Sequence, residues 1–262
     1  MRYIASYAND AAIQSAVDAG TLGHPYVALD DQLHKIDWDS KEQSYESQYL
    51  TIKALEDGTF YVRSANVYHS KNGGSWETGS SISLSNGDTV RFKHISTTTG
   101  ETVGSFSGNT IQFNAYGNIE SMEYGDDFVG QTSVKIDAST RAKGACSGLF
   151  KNCVGLMNVE NIILPEIVKG YSFTYIFQGC TSITTAPDIL ATSYKTTTQP
   201  LQYAFDGCSS LNYIKCMLSG KNISLNTWVN GVSSTGTFVK ASGATWSTGA
   251  SGIPSGWTVI NA

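Results

Sequence analysis

A seven-residue pattern, Phe-x-x-Cys-x-x-[Leu/Ile], occurs three times in this chain: Phe150, Cys153, Leu156; Phe177, Cys180, Ile183; and Phe205, Cys208, Leu211. The cysteines stand 27 and 28 residues apart. A near-constant period of this size marks a chain built from stacked supersecondary units. One such unit cannot bury its apolar side; its neighbours must cover it, so stability is built from the interfaces between copies. Other apolar residues recur in step: Val159 and Ile162, Ala186, then Ile214 and Cys216. Leu164-Pro165-Glu166-Ile167 also matches Pro187-Asp188-Ile189-Leu190. Each copy therefore reads as a short strand, a proline turn and an outer segment that returns to the next phenylalanine. Residues present in every copy serve stacking, which turns the reading away from catalysis.

The five cysteines, Cys146, Cys153, Cys180, Cys208 and Cys216, are an odd number and all fall in the C-terminal half. A disulfide framework calls for an even count, and adjacent thiols on a stacked ladder point the same way rather than at each other. No Cys-x2-Cys or His-x3–5-His spacing suits zinc. The cysteines are expected as reduced core thiols. After Cys208 the pattern decays, leaving Trp228, Gly231, Thr237-Phe-Val239, Trp246 and Trp257. Residues 222–262 are expected to cover the open end of the stack.

Upstream, residues 46–104 alternate apolar and polar residues between turn signals. Tyr49–Leu55 predicts a half-buried strand, Glu56-Asp57-Gly58 a turn, and Thr59–Arg63 the returning strand. Asn72-Gly73 predicts a tight hairpin, because both residues accept positive φ. Ile82–Leu84 and Thr89–Lys93 flank a further turn at Asn86-Gly87-Asp88. Five or six short strands at this spacing predict a small antiparallel β-sandwich.

Residues 1–45 differ again. Asn9 caps a predicted helix over 10–19 that aligns Ile13, Ala16 and Val17 at helical spacing and stops at Gly20. Short strands follow over 26–29 and 33–38, the second ending at Trp38. A unit of about 40 residues without staples needs a partner: the next domain, copies of itself or a larger assembly. Read as an anchoring module it assigns Ile13, Ala16, Val17 and Trp38 to an attachment or assembly surface; the alternative is a terminal extension packed on its own domain. Asp30, Asp31, Asp37 and Asp39, like Asp126 and Asp127, read as solvated turn acids.

The formal net charge of −5, with Lys and Arg scattered singly, argues against nucleic acid as a partner. No apolar run approaches the roughly 18 residues that insert into a membrane. The N-terminus has no apolar segment of signal-peptide length, so if Met1 is the native start, export by the general secretory route is not expected. Nucleophile-elbow, zincin and phosphate-loop motifs are absent, and no cofactor is expected. His24, His34, His69 and His94 all precede every cysteine. The better candidates for function are aromatic, since tyrosine gives contact area at low entropy cost. Tyr175 and Tyr203 keep fixed places two residues before the repeat phenylalanine and read as structural. Tyr194, in the variable segment 191–200, is the candidate ligand-binding residue.

The motif Phe-x-Gly-Cys-[Ser/Thr]-Ser-[Leu/Ile], followed by a Thr/Ala-Pro segment, resembles the BspA-like type of leucine-rich repeat over residues 105–262. So does the ending Gly231-Val-Ser-Ser-Thr-Gly-Thr-Phe-Val-Lys240 with Ser-Gly-Ile-Pro-Ser-Gly-Trp257. Such repeats are common on gut bacteria and in their tailed phages. The stretch from Leu50 to Gly58 and on through Lys71–Trp76 is similar to the β-domain that often precedes them. Residues 1–45 are similar in style to attachment segments of phage virion proteins. The resemblance implies a mainly β chain: an attachment segment, a small sandwich, and a leucine-rich-repeat solenoid with a C-terminal cap.

For function, the resemblance implies a non-enzymatic virion structural protein, a head or tail fibre or decoration protein at the virion surface. Its N-terminus would bind other virion proteins, and its repeats would present a surface for a host glycan or protein. Virion fibres are often homo-trimers, although no coiled-coil heptads are present to build one here. The alternatives are a bacterial cell-surface adhesin of the same type and a glycan-active enzyme. The first copy departs from the pattern in Asn152, where glycine is usual, and Gly155, where serine is usual.

Overall fold

Alternation in Leu50–Ala54 puts Leu50, Ile52 and Ala54 in the core and makes this strand, β1, the centre of a mixed sheet. The structure is a computed structural model that describes residues 45, 48–64, 66–94, 106–134, 146–168, 170–193 and 200–262. The chain divides into two units, Met1–Ser44 and Tyr45–Ala262, and every described residue belongs to the second. That unit is mainly β.

The strands that follow β1 are β2 (Gly58–Tyr61), β3 (Val67–Lys71), β4 (Glu77–Thr78), β5 (Ser81–Leu84), β6 (Thr89–His94) and β7 (Phe113–Asn118). A helical turn, α1 (Ser121–Tyr124), leads to β8 (Leu156–Asn158), β9 (Ile162–Ile163), β10 (Tyr213–Cys216), β11 (Thr237–Lys240) and β12 (Thr258–Asn261). The large sheet runs β4-β3-β6-β1-β7-β8, with β9 also on β7. Pairing is antiparallel from β4 to β7 and parallel from β7 to β8 and β9. Strand β7 is thus the joint between two kinds of sheet.

The Asn72-Gly73 hairpin forms as the turn chemistry predicts: both residues have positive φ (48° and 76°), and β3 pairs with β4. The strand expected to return beside β1 does not. β2 pairs with β5 instead, and β1 takes β6 and β7 as neighbours. Burial explains the exchange. Phe60 on β2 lies 5.8 Å from Phe92 and 5.2 Å from Phe113, so the β2–β5 ribbon covers the inner face of the large sheet rather than extending it.

The boundary expected at 104/105 does not separate two cores. Phe60, Phe92, Phe106, Phe113, Phe150, Phe177, Phe205 and Trp228 are all buried within one cluster. Phe92 meets Phe106 at 4.5 Å, and Phe106 meets Phe150 at 5.5 Å. From there Phe150–Phe177 and Phe177–Phe205 stack at 5.7 and 5.6 Å with their planes within 8° and 11° of parallel. Rings offset in this way avoid the unfavourable face-to-face arrangement.

Among the described residues beyond β9, every strand pairing is parallel. Thr185, Tyr213, Thr237 and Thr258 occupy one column of rungs, and Ile189, Cys216, Lys240 and Asn261 another. Residues 222–262, read from the sequence as a cover, instead add two rungs, β11 and β12, in unbroken register. No side chain of β12 is buried, although its lateral neighbour Phe238 on β11 is buried completely.

Candidate binding face

The repeat pattern is a turn requirement before it is a packing requirement. Each Phe-x-x-Cys closes a turn in which the cysteine N–H donates to the phenylalanine carbonyl: Cys153 to Phe150 at 3.0 Å, Cys180 to Phe177 at 3.0 Å, Cys208 to Phe205 at 3.1 Å. The third residue of each turn has positive φ: Asn152 57°, Gly179 73°, Gly207 77°. A type II turn demands this geometry, and glycine or asparagine supplies it at least cost. Asn152 is therefore the substitution that the turn tolerates best. Gly155 has a different reason: a Cβ there would stand 1.9 Å from the carbonyl oxygen of Ile111.

The phenylalanine carbonyl accepts a second bond, from the thiol of the next copy along the stack. Cys153 Sγ donates to Phe106 O, Cys180 Sγ to Phe150 O and Cys208 Sγ to Phe177 O, each at 3.0 Å. Backbone N–H groups knit the copies in the same way: Phe150 to Ile176 O, Phe177 to Ala204 O and Phe205 to Trp228 O, at 2.8–2.9 Å. All five cysteines are free and buried. Burial pushes the Cys153, Cys208 and Cys216 thiols up to about 12 and those of Cys146 and Cys180 well above the ordinary thiol range. A thiol held neutral is a poor nucleophile and a poor metal ligand. Leu156, Ile183 and Leu211 are likewise fully buried.

Two further copies escaped sequence comparison. Phe106-Ser-Gly108-Asn109 precedes the first, with φ 76° at Gly108 and Asn109 where the others carry cysteine. The Asn109 amide donates to the carbonyl of its own copy's Phe106 and to that of Tyr61, at 2.6 and 2.9 Å, and so ties the turn to β2. The other copy, Thr227–Gly231, follows the third; it has φ 51° and 69° at those two residues and no repeat phenylalanine or cysteine. The signal for both was glycine at the turn position.

A second turn precedes each repeat phenylalanine and also needs positive φ at its third residue. The first copy places Gly148 there (64°), but the next copies place Tyr175 (61°) and Tyr203 (57°). A bulky residue in this region is strained by about 1–2 kcal/mol. The two rings stack at 4.9 Å with their planes 7° apart, and Lys151 Nζ lies 4.8 Å from the Tyr175 centroid, a cation–π contact. Beside them runs a column of unlike residues: Lys151, Gln178, Asp206 and Asn230. Gln178 Nε2 and Asn230 Nδ2 both donate to the Asp206 carboxylate, at 2.7 and 2.9 Å. Half-buried tyrosines and a hydrogen-bonded polar column thus share one face. A depression of about 200 Å3 lined by Asn230, Gly231, Ser233, Ser234 and Ser255 lies at one end.

A second polar cluster lies on the outer face of the large sheet. Lys93 Nζ lies 2.8 Å from both oxygens of Asp126, and the Tyr49 hydroxyl donates to Asp126 Oδ1 at 2.7 Å. The Lys93 ammonium and then the Tyr49 hydroxyl hold the Asp126 carboxyl below its usual range; burial, aided by the Asp126 charge, pushes the Tyr49 phenol up to about 12. Asp126, read as a solvated turn acid, is the anchor of this cluster. Trp76 lies over the cations, 4.5 Å from Lys93 Nζ and 5.4 Å from the Arg91 guanidinium carbon. Strand pairing brings these residues together from distant parts of the chain, so no local motif announces them.

Tyr194, Ile13, Ala16, Val17 and Trp38 lie outside the described residues, as do Asp30, Asp31, Asp37 and Asp39. Among the described residues, no helix is long and apolar enough to cross a membrane. Comparison with protein-family models, with curated proteins and with solved structures finds no match.

Proposed function

We propose that this chain is a non-enzymatic binding scaffold of the BspA-like leucine-rich-repeat type, serving as a virion fibre or decoration protein. Residues 1–45 attach it to other virion proteins, and the stacked repeats present a surface to a host glycan or protein. The observation that carries the reading is the pair Tyr175 and Tyr203. Gly148 shows that glycine suits their place in the turn, yet two stacked rings are kept there at positive φ. Strain retained outside the core is a mark of function rather than of packing. Parallel rungs with inward phenylalanines, as a stacked-repeat architecture requires, support the scaffold half of the reading.

The test is adsorption to host cells. Purified chain is expected to bind cells and to compete with virions for them, and the Tyr175→Gly/Tyr203→Gly variant to lose both effects while keeping its far-ultraviolet circular dichroism. Copurification with virions, lost when residues 1–45 are removed, tests the attachment half. Turnover of any host polysaccharide would overturn the non-enzymatic reading, and recovery of the chain from the surface of uninfected bacteria would favour an adhesin.

A further inference from the structure

The outer face of the large sheet carries a cation that has no counter-ion among the described residues. Strand register sets Ser70, Arg91, Thr51 and Tyr116 side by side across β3, β6, β1 and β7. The Arg91 guanidinium carbon lies 5.4 Å from the Trp76 ring centroid and 5.9 Å from that of Tyr49, so it sits half-buried against the side of this aromatic pair, whose own centroids are 5.0 Å apart. Arg91 Nη2 donates to Ser70 Oγ at 2.9 Å, while its buried Nε has no hydrogen-bond partner. The ion pairs among the described residues are His69–Glu77, Lys71–Asp88, Lys93–Asp126 and Lys215–Asp188, and none includes Arg91. Lys93, the neighbouring cation, is already neutralised by Asp126. Exposed Lys53 stands two residues along β1 from Thr51, the partner of Arg91, and adds positive charge to the same face.

A half-desolvated guanidinium without a counter-ion is costly, and a carboxylate brought against its terminal Nη groups supplies the missing charge through a planar two-point contact. The surrounding rings choose the carrier of that carboxylate. Half-exposed Trp76, propped edge-to-face by Tyr49, offers an amphipathic plane that covers the C–H face of a pyranose while its hydroxyls stay wet. Resting on the glycan-binding reading proposed above, we infer that Arg91, Trp76 and Tyr49 form a subsite for an acidic sugar residue. The carboxylate lies on Arg91 and the ring against Trp76. This subsite is separate from the Tyr175–Tyr203 face and gives the scaffold its preference for charged over neutral glycans.

The test is calorimetric titration of the full chain with trigalacturonate and with its methyl ester, a neutral copy of the same shape. The acid is expected to bind about tenfold more tightly or better. Arg91→Gln should abolish that preference, and Arg91→Lys, which keeps the charge but loses the fork, should retain only part of it. Circular dichroism and the thermal midpoint verify folding of each variant. Equal binding of acid and ester by the wild-type chain, or a preference that survives in Arg91→Gln, overturns the subsite. So does failure to bind either probe, and so does a triglutamate peptide that binds as tightly as trigalacturonate. In each of these cases host adsorption that still depends on Tyr175 and Tyr203 leaves the proposed function standing; loss of adsorption by the wild-type chain removes that function as well.

Discussion

At the scale of single residues, the chain distinguishes positions that look alike in sequence. Gly73 and Gly155 are both glycines near turns. A Cβ on Gly73 meets nothing, and only its φ of 76° resists substitution, whereas a Cβ on Gly155 would collide with the Ile111 carbonyl. Gly73→Ala should therefore cost about 1 kcal/mol. Gly155→Ala should cost about 2–4 kcal/mol. Urea denaturation of the two variants measures the difference, and equal losses would show that the backbone at Ile111 yields freely. The thiols make a second residue-scale prediction. Their pKa values are raised in the folded chain, so folding favours the neutral form. The stability this contributes is complete below the unfolded thiol's pKa near 9 and is lost as pH rises towards about 12. Each thiol should subtract up to about 1.4 kcal/mol per pH unit across that window, with Tyr49 adding to the loss between about 10 and 12. Native protein at pH 8 should show no thiol reactive to a disulfide reagent, and denatured protein all five.

At the scale of elements, the unit is the rung rather than the strand. Strands β8 to β12 have only two to four residues and could not persist singly. Each of the three repeat copies is held by its turn, by ring packing between its phenylalanine and the aromatic rings on either side, and by a thiol bond to the phenylalanine carbonyl of the copy before it. Phe177 has a parallel ring on both sides, whereas Phe150 and Phe205 each have one parallel neighbour in the phenylalanine stack and a tilted ring on the other side. Phe177→Ala should cost about 3–5 kcal/mol, and no less than Phe150→Ala or Phe205→Ala. Denaturant midpoints of the three variants test the order. Tyr203→Gly belongs to the same scale with the opposite sign. It relieves positive-φ strain and loses one stacked contact, terms of about 1 kcal/mol each. Stability should stay within about 1 kcal/mol of wild type while adsorption to cells falls. A large loss of stability in Tyr203→Gly would make the tyrosines structural after all.

At the scale of the whole unit, the aromatic cluster runs without interruption from the β2–β5 ribbon into the last rungs. Strand β7 lends its one edge to antiparallel β1 and its other to parallel β8 and β9, so neither half has a complete sheet alone. Residues 105–262 expressed alone would expose Phe106 and Phe113 on one side and the free edge of β7. They should fail to give a cooperative thermal transition, and 45–262 should give a single one. Independent, reversible melting of 105–262 would show that the rungs suffice without the upstream strands.

Much of this was legible in the sequence because it depends on neighbours along the chain. Positive φ at a turn's third residue asks for glycine or asparagine, so Asn72-Gly73, Asn152, Gly179 and Gly207 can be read directly. The repeat phenylalanines and cysteines declare themselves by period, since every copy meets the same surroundings. Tertiary structure alone decided the rest. Asn109 stands where the other copies carry cysteine, and the copy at Phe106 stands 44 residues from Phe150 because an intervening stretch enters the sheet; period could not reveal it. β2 leaves β1 for β5 because the inner face of the sheet needs a cover, which local alternation does not record. Arg91 and Lys93 reach Trp76, and Tyr49 reaches Asp126, only through strand pairing that local sequence does not record. By itself the sequence determined where the backbone must bend and what each copy must bury, since turn strain and apolar spacing are local. Which edges close, and which charge is left without a partner, followed from long-range packing, where side chains distant in the chain compete for the same surface.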